Sequence, residues 1–366
     1  MFDQKHGWEK YKEKELSGII PVLSKLGFSL EKEQPHIGGE RYLMQAVTTE
    51  SGRKLILLGH RISDGKRVVI KATSDEAGKR EIMRERKCRE VLHQMNFAYQ
   101  VFFSPEEILF VEQSGYLISI QAFIEQKRTF LERPTKEQFS LALKSFKAQE
   151  GAHATTYRHI RLIRSSFGAM SARDYISAFG GFKKKILAQP ENNILSPILE
   201  KSLSFLEDDK ETIEQYSGFL THVDFVPHNI RVAHRNIYLL DHSSLRFGNK
   251  YEGWARFLNF MMLYNPGLEK ALVQYVRDNR AEEESLSLKL MRIYRLGEII
   301  WYYTGTLEKS SGDLLSLNNL RVKFWGRALE ATLGDKTLED SVINEYKKAR
   351  DSLRSDEEKK RQISLH

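Results

Sequence analysis

The chain has 366 residues, of which 41% are hydrophobic and 29% charged, a composition that excludes a disordered chain and leaves room for two lobes with a sizeable core. Lys plus Arg is 57 against 49 Asp plus Glu, a net charge of +8; so modest and dispersed an excess suits an enzyme that handles an anion and does not call for nucleic acid. Cys88 is the single cysteine, which excludes a disulfide framework and a cysteine-based zinc site. No apolar run approaches a membrane span, and MFDQKHGWEKYKEKEL is charged with no signal-peptide core, so the expectation is a soluble, cytoplasmic protein without a membrane partner.

Leu16, Ile19, Ile20, Leu23 and Leu26 fall at helical spacing and Gly27 ends the run, predicting a helix over 8–27. It reads as an N-terminal extension, residues 1–35, packed on the first lobe. From Arg41 the period changes to that of strands. RYLMQAVT, KLILLGHRI and RVVIKAT read as three strands joined by the turns TESGR and SDGK. Residues 76–95 carry a helical pattern, with Ile82, Val91, Leu92 and Met95 marking much of the buried side. Two more strands, EILFVEQ and YLISIQAFIEQ, meet at Ser114-Gly115. After Pro134 the pattern is helical, over 136–156, 171–188, 194–207 and 209–218. Helices resume over 252–264, 267–279, 283–305, 313–334 and 338–359, with Pro190, Pro197 and Pro266 at breaks. The tail from Glu345 mixes charges densely.

Between the two helical runs lies THVDFVPHNIRVAHRNIYLLDHSS, residues 221–244. His222, Asp224 and Asn229 fit HxDxxxxN, and Asp241 closes the apolar run Ile237-Tyr238-Leu239-Leu240. Val223, Phe225 and Val226 are apolar and can anchor a short loop, from which Asp224 and Asn229 then project. Pro227 stops that loop from continuing as a helix. Residues 230–240 read as a hairpin that returns Asp241 beside Asn229, where two oxygen ligands can share one hard cation. Few chemistries need a base, an amide ligand and a second carboxylate in that order; phosphoryl transfer from a nucleotide does.

THVDFVPHNI followed by IYLLDHSS resembles the kinase-like small-molecule phosphotransferases of the aminoglycoside phosphotransferase, choline kinase and fructosamine kinase group. The resemblance implies an α+β, two-lobed protein-kinase-like fold. Its small lobe is an antiparallel five-strand sheet with one helix, and its larger lobe is mainly helical. The boundaries it implies are a nucleotide-binding lobe over 36–125, a catalytic and acceptor-binding lobe over 126–335, and a charged C-terminal helix or tail over 336–366. It implies Asp224 as catalytic base, and Asn229 and Asp241 as ligands of Mg2+. Val-Val-Ile-Lys resembles the kinase strand Val-Ala-Ile-Lys, which makes Lys71 the lysine for the α- and β-phosphates of ATP or another nucleoside triphosphate. A glutamate of the helix over 76–95 is expected to hold that lysine; Glu85 is the choice and Glu81 the alternative. Ser51 and Gly52 stand in the turn that covers the phosphates. Phe123 and Ile124 stand in the hinge that pairs with the base. The partner implied is a small molecule with a hydroxyl to be phosphorylated.

The chain departs from the pattern in several places. Val223 replaces the Gly or Arg of the catalytic loop, and Asp241-His242-Ser243 replaces Asp-Phe-Gly. Gly253 stands where an Asp is expected, so Glu252 is a candidate to fill that role. The turn at 49–53 has a single glycine, and no Ala-Pro-Glu segment follows Asp241. Its absence argues against a protein kinase, the first rival reading. A second rival is a catalytically dead kinase-like module that binds and does not turn over. For the acceptor, Arg158, Arg161 and Arg164 point to an anion and Glu282-Glu283-Glu284 to a cation, and both clusters also read as solvated surface. His228 and His242 flank the expected ligands, close enough in sequence to approach a phosphate or to serve as packing.

Overall fold

The computed structural model describes residues 4–34, 54–94, 102–156, 160–234 and 236–354. The expected strand RYLMQAVT, the phosphate-loop residues Ser51 and Gly52, Arg158 and the tail beyond 354 lie outside them.

Helix α1 spans Gln4–Lys25. Its buried residues Glu15, Ile19, Val22 and Leu23 recur at three- and four-residue steps, so they share one face. That face covers one side of a five-stranded antiparallel sheet with strand order β1-β2-β3-β6-β5. The strands are β1 (Phe28–Leu30), β2 (Leu55–Arg61), β3 (Arg67–Thr73), β5 (Glu107–Gln113) and β6 (Tyr116–Ala122). Leu55 and Leu57 of β2 and Val68, Ile70 and Ala72 of β3 are buried with α1. By strand alternation the residues between them, Ile56, Val69 and Lys71, face the other way. The stretch expected to be an N-terminal extension therefore supplies both a sheet strand, β1, and the cover of the sheet's outer face. Each fully buried aliphatic side chain in that layer contributes roughly 1.5–3 kcal/mol.

Helix α2 (Glu76–Gln94) lies between this sheet and the rest of the chain. Gly78, Ile82, Glu85, Cys88 and Val91 form its buried stripe. Its start is tied to α1, because the Glu15 carboxylate accepts hydrogen bonds from the Ser74 backbone N–H, at 3.0 Å, and from the Ser74 hydroxyl.

The larger part is helical, with α3 (Thr135–Thr156), α4 (Ile160–Phe167), α5 (Ala172–Leu187), α6 (Ser196–Asp208) and α7 (Lys210–Gln215) before the 221–244 stretch. After it come α8 (Glu252–Tyr264), α9 (Pro266–Asn279), α10 (Glu282–Leu307), α11 (Gly312–Leu333) and α12 (Asp340–Leu353). Helix α10 is central, packed on α5, α8 and α11. The 221–244 stretch is built of short pieces. Strand β7 (Phe219–His222) pairs antiparallel with β10 (Leu245–Gly248). The expected hairpin is β8 (Ile230–Ala233) and β9 (Asn236–Leu239), and β9 also pairs in parallel with β4 (Phe102–Phe103). Beneath the loop lies an aromatic cluster. Phe146 stacks on Trp254 at 3.8 Å, and Phe225 lies 5.7 Å from Phe146 and 5.9 Å from Phe257.

Phe225 is fully buried and belongs to the loop, so it couples loop geometry to the core. Phe225→Ala is expected to cost about 3–5 kcal/mol of stability, the range for a buried aromatic truncated to a methyl group. Urea unfolding followed by far-UV circular dichroism measures this, and a loss under about 1 kcal/mol would mean the loop is anchored elsewhere.

Candidate active site

Strand β3 carries Lys71 on the sheet face opposite α1. The Lys71 ammonium donates to both Glu85 carboxylate oxygens at 2.6 Å. Glu85 lies in the buried stripe of α2, which decides between the two candidates: the lysine needs a partner where water is scarce. Glu81, one turn earlier, instead holds Lys54 at 2.9 Å. Lys54, the first residue of the expected strand KLILLGHRI, had no site role in the sequence, and the sheet register brings it here.

The other half of the site is the loop 222–229. The His222 ring is buried, and its Nε2–H is shared between the carbonyls of Leu240 and Asp241, at 3.1 and 3.0 Å. His222 therefore ties the loop that carries Asp224 to the backbone at Asp241. As expected, Phe225 and Val226 are buried while Asp224 and Asn229 remain partly exposed; Val223 is only half-buried. The Asn229 amide donates to the Asp224 carbonyl at 2.8 Å and to Asp224 Oδ2 at 3.0 Å. Its nitrogen is thus engaged within the loop, and its carbonyl oxygen is the atom left for a cation.

Asp224 is gripped by an arginine that sequence reasoning missed. Arg256 of α8 places Nε 3.0 Å and Nη2 2.9 Å from Asp224 Oδ1. Burial pushes the Asp224 carboxyl up, but Arg256, His228, His222 and Arg295 outweigh it and hold the group well below the usual carboxylate range. Asp241 adopts a left-handed backbone, φ 55° and ψ 60°, a region that Asp tolerates better than most residues. Its carboxylate accepts from the hydroxyls of Ser243 and Ser244. Burial again raises the pKa, and Lys71, the Ser243 hydroxyl, His222 and Lys54 bring it down to about 2.

The position of Gly253 is explained by space. A Cβ there would stand 2.5 Å from Gln149 Oε1 and 3.1 Å from the His222 carbonyl, so a side chain at this point requires Gln149 to move and the loop backbone to give. Glu252 does not touch the loop. It is fully buried and binds Arg246, the Tyr175 hydroxyl at 2.8 Å, and Arg295 at 3.4 Å. Arg295 then donates to the Val223 carbonyl at 2.7 Å. Glu252 thus reaches the loop only through Arg295, which Glu298 also binds, at 2.6 Å.

The remaining candidates are arranged as follows. The Phe123 N–H bonds the Arg67 carbonyl at 3.2 Å, and the Arg67 guanidinium lies 4.1 Å over the Phe123 ring. Ile124 follows Phe123 in the segment read as the hinge. Gln126 beyond it accepts from the Val232 N–H at 3.3 Å, which sets β8 beneath the hinge. His242 is buried, packed beside α2, and bonded to Ser104 at 3.1 Å; this is a packing role. Arg161 and Arg164 are exposed on α4, whose neighbours are α2 and β10. Glu284 is bound by Lys250 and Tyr251. A cavity of about 570 Å³ lies among α9, α10 and the α11–α12 connection, with Glu282, Glu283, Glu269 and Arg292 in its wall.

Among the described residues no three His, Cys, Asp or Glu side chains converge to hold a metal. Asn229 and Asp241 offer two hard oxygen donors, one of them an ionised carboxylate. That set fits Mg2+, which usually takes one or two protein ligands and completes its shell with phosphates and water.

No protein-family model and no curated protein matches the chain by sequence. Solved structures do match. Aminoglycoside phosphotransferase APH(4)-Ia superposes with a TM-score of 0.57 at 15% identity, over 87% of this chain and 98% of that one; a thermostable mutant of it is a ternary complex with AMP-PNP and hygromycin B. The GDP complex of aminoglycoside 2'-phosphotransferase-IIIa gives 0.56 at 12% identity, over 87% and 99%. Macrolide 2'-phosphotransferase MphH from Brachybacterium faecium gives 0.53 at 13% identity, over 83% and 97%.

The two carboxylates make a pH test. Their folded-state pKa values lie below the unfolded ones, so their stabilisation is complete above the ordinary carboxylate range and is lost as pH falls through the folded values. For Asp241 that loss extends down to about pH 2. Urea midpoints measured between about pH 5 and pH 2 are expected to fall more steeply for the unaltered protein than for Asp241→Asn. Parallel curves would mean that the Lys71 and serine contacts do not hold the charge. Fold and sheet order together give this chain the two-lobed fold shared by the aminoglycoside and macrolide phosphotransferases.

Proposed function

We propose that the protein transfers the terminal phosphoryl group of ATP or another nucleoside triphosphate, with Mg2+, to a hydroxyl of a small molecule. One observation carries this reading: the Lys71–Glu85 pair, Asp241 and the bonded Asp224–Asn229 pair lie together, close enough for the Lys71 charge to act on Asp241. The bound nucleotides and antibiotics of the structural neighbours agree with it.

In this reading the base pairs with the Ile124 backbone and Lys71 binds the α- and β-phosphates. Asn229 Oδ1 and the Asp241 carboxylate would hold Mg2+, which when bound offsets negative charge on the phosphates. Asp224 orients the acceptor hydroxyl. Arg256 fixes its Oδ1 and the Asn229 amide its Oδ2, so the carboxylate is held in place and a remaining lone pair takes the hydroxyl proton. A carboxylate so acidic is a weak base, which suits a loose transition state in which the proton leaves late. Catalysis then rests on positioning and on fixed charge rather than on base strength.

A phosphate-release screen with ATP and GTP over aminoglycosides, macrolides, choline, amino alcohols and sugars tests the activity. With an acceptor in hand, Asp224→Ala is expected to lower kcat by about 10²–10⁴ while nucleotide affinity changes little. Asp241→Asn is expected to remove turnover with folding intact, because an amide is a poorer magnesium ligand than a carboxylate. Near-normal turnover by either variant would overturn its assigned role. Nucleotide binding with no transfer to any acceptor would favour the binding-module reading.

A further inference from the structure

Two lysines, not one, stand on the inner face of the small sheet. In the β2–β3 register Ile56 is opposite Lys71. Lys54 lies two residues before Ile56, so alternation puts it on the same face as Lys71. Each lysine has its own glutamate. Glu85 binds Lys71 at 2.6 Å and Glu81 binds Lys54 at 2.9 Å. Glu81 and Glu85 are i and i+4 on α2, one above the other along a single helix face.

The register also orders the two lysines along the site. The hinge end of β3 is marked by Arg67 and Val68, since Phe123 bonds Arg67 and Ala122 pairs with Val68. Lys71 comes next. Lys54 sits beyond Leu55, which is opposite Ala72, and so lies farther from the hinge. The displacement along α2 is about one helical turn, roughly 5–6 Å. Running away from the hinge, the order is base contact, Lys71, Lys54.

Such an arrangement needs a reason. Lys54 is mostly covered, with 15% of its side chain exposed, and it stands on the same face as a second cation. Two like charges on one half-buried face repel unless anions balance them. Glu81 uses one of the ammonium's three donors, which leaves the others for an acceptor. Burial lowers the Lys54 pKa, but Glu81, Asp241 and Glu85 together raise it above the ordinary value, so the group stays charged. The charges of both lysines also bear on Asp241, the proposed metal ligand. A polyphosphate laid from the hinge along this face would meet Lys71 first and Lys54 at its far end.

We propose that Lys54, held by Glu81 on the inner sheet face, is a second phosphate-binding lysine that contacts the terminal phosphate of the nucleoside triphosphate. The assignment rests on the nucleotide reading above and adds to it a residue that discriminates triphosphate from diphosphate. Lys71 serves both nucleotides; Lys54 serves the triphosphate alone.

The test is calorimetric binding of AMP-PNP and ADP, and of GMP-PNP and GDP, each with magnesium, to the full chain. For Lys54→Met the triphosphate analogue is expected to bind about 10–100-fold more weakly, the loss for one charge-assisted hydrogen bond. Diphosphate affinity is expected to change less than about threefold. Lys54→Arg, which keeps the charge, is expected to recover most of the difference. Should Lys54→Met fail to fold, Lys54→Gln keeps a donor for Glu81 and carries the same comparison. Equal weakening of triphosphate and diphosphate, or no weakening, overturns the role of Lys54 and leaves the nucleotide reading standing. If the unaltered chain binds neither pair, both fall.

Discussion

The salt bridge between Lys71 and Glu85 is the constraint on which the rest of the site depends. Both groups are largely covered, and a charge in such surroundings persists only if it is paired. Losing one partner of a buried pair costs on the order of 3–5 kcal/mol, because the other charge is left stranded. The pair therefore fixes the distance between β3 and α2. Helix α2 in turn packs on the 242–244 turn that follows Asp241. A single ion pair thus links the sheet to the segment that carries the Asp241 carboxylate. Helix α1 reinforces the link from outside, since Glu15 holds Ser74 at the joint between β3 and α2.

On the opposite side the same problem is solved with hydrogen bonds and aromatic packing. The loop 222–229 is short and carries few regular backbone bonds of its own. Phe225 anchors it in the Phe146–Trp254–Phe257 cluster, His222 ties it to the chain at Leu240 and Asp241, and Arg295 holds the Val223 carbonyl. Glu298, at 2.6 Å, and the fully buried Glu252, at 3.4 Å, hold Arg295. His222 and Arg295 thus tie the backbone of the loop to the chain on both sides of it.

Electrostatics set the character of the site. Asp224 and Asp241 are both pushed toward neutrality by burial and both kept ionised by cations. Arg256 acts on the first, and Lys71 with Lys54 acts on the second. Placing a guanidinium directly on Asp224 trades basicity for a fixed orientation. That exchange suits a reaction whose rate comes mostly from alignment and charge compensation.

Much of this was legible in the residues themselves. The period-2 runs of β2, β3, β5 and β6 and the three- to four-residue spacing of the long helices fall within a few residues of the observed elements, because one buried face per element dictates the pattern. HxDxxxxN and the following Asp gave the loop and its neighbouring carboxylate, since a local hairpin alone brings them together. The preference for Glu85 over Glu81 followed from its place on the helix stripe. What the pattern could not supply were contacts between distant segments. Strand β1 has three residues, β4 two, and β7 and β10 four each, too short to show a period. Arg256 and Arg295 look like ordinary helix residues until tertiary packing sets them on Asp224 and Val223. Gly253 looked like a lost Asp until the fold showed α8 beginning in close contact with the loop. Lys54 looked like the ordinary first residue of a strand until the β2–β3 register put it on the face of Lys71. Sequence determines a residue's face, through local periodicity; only the fold decides its partner, because partners far apart in the chain are chosen by packing.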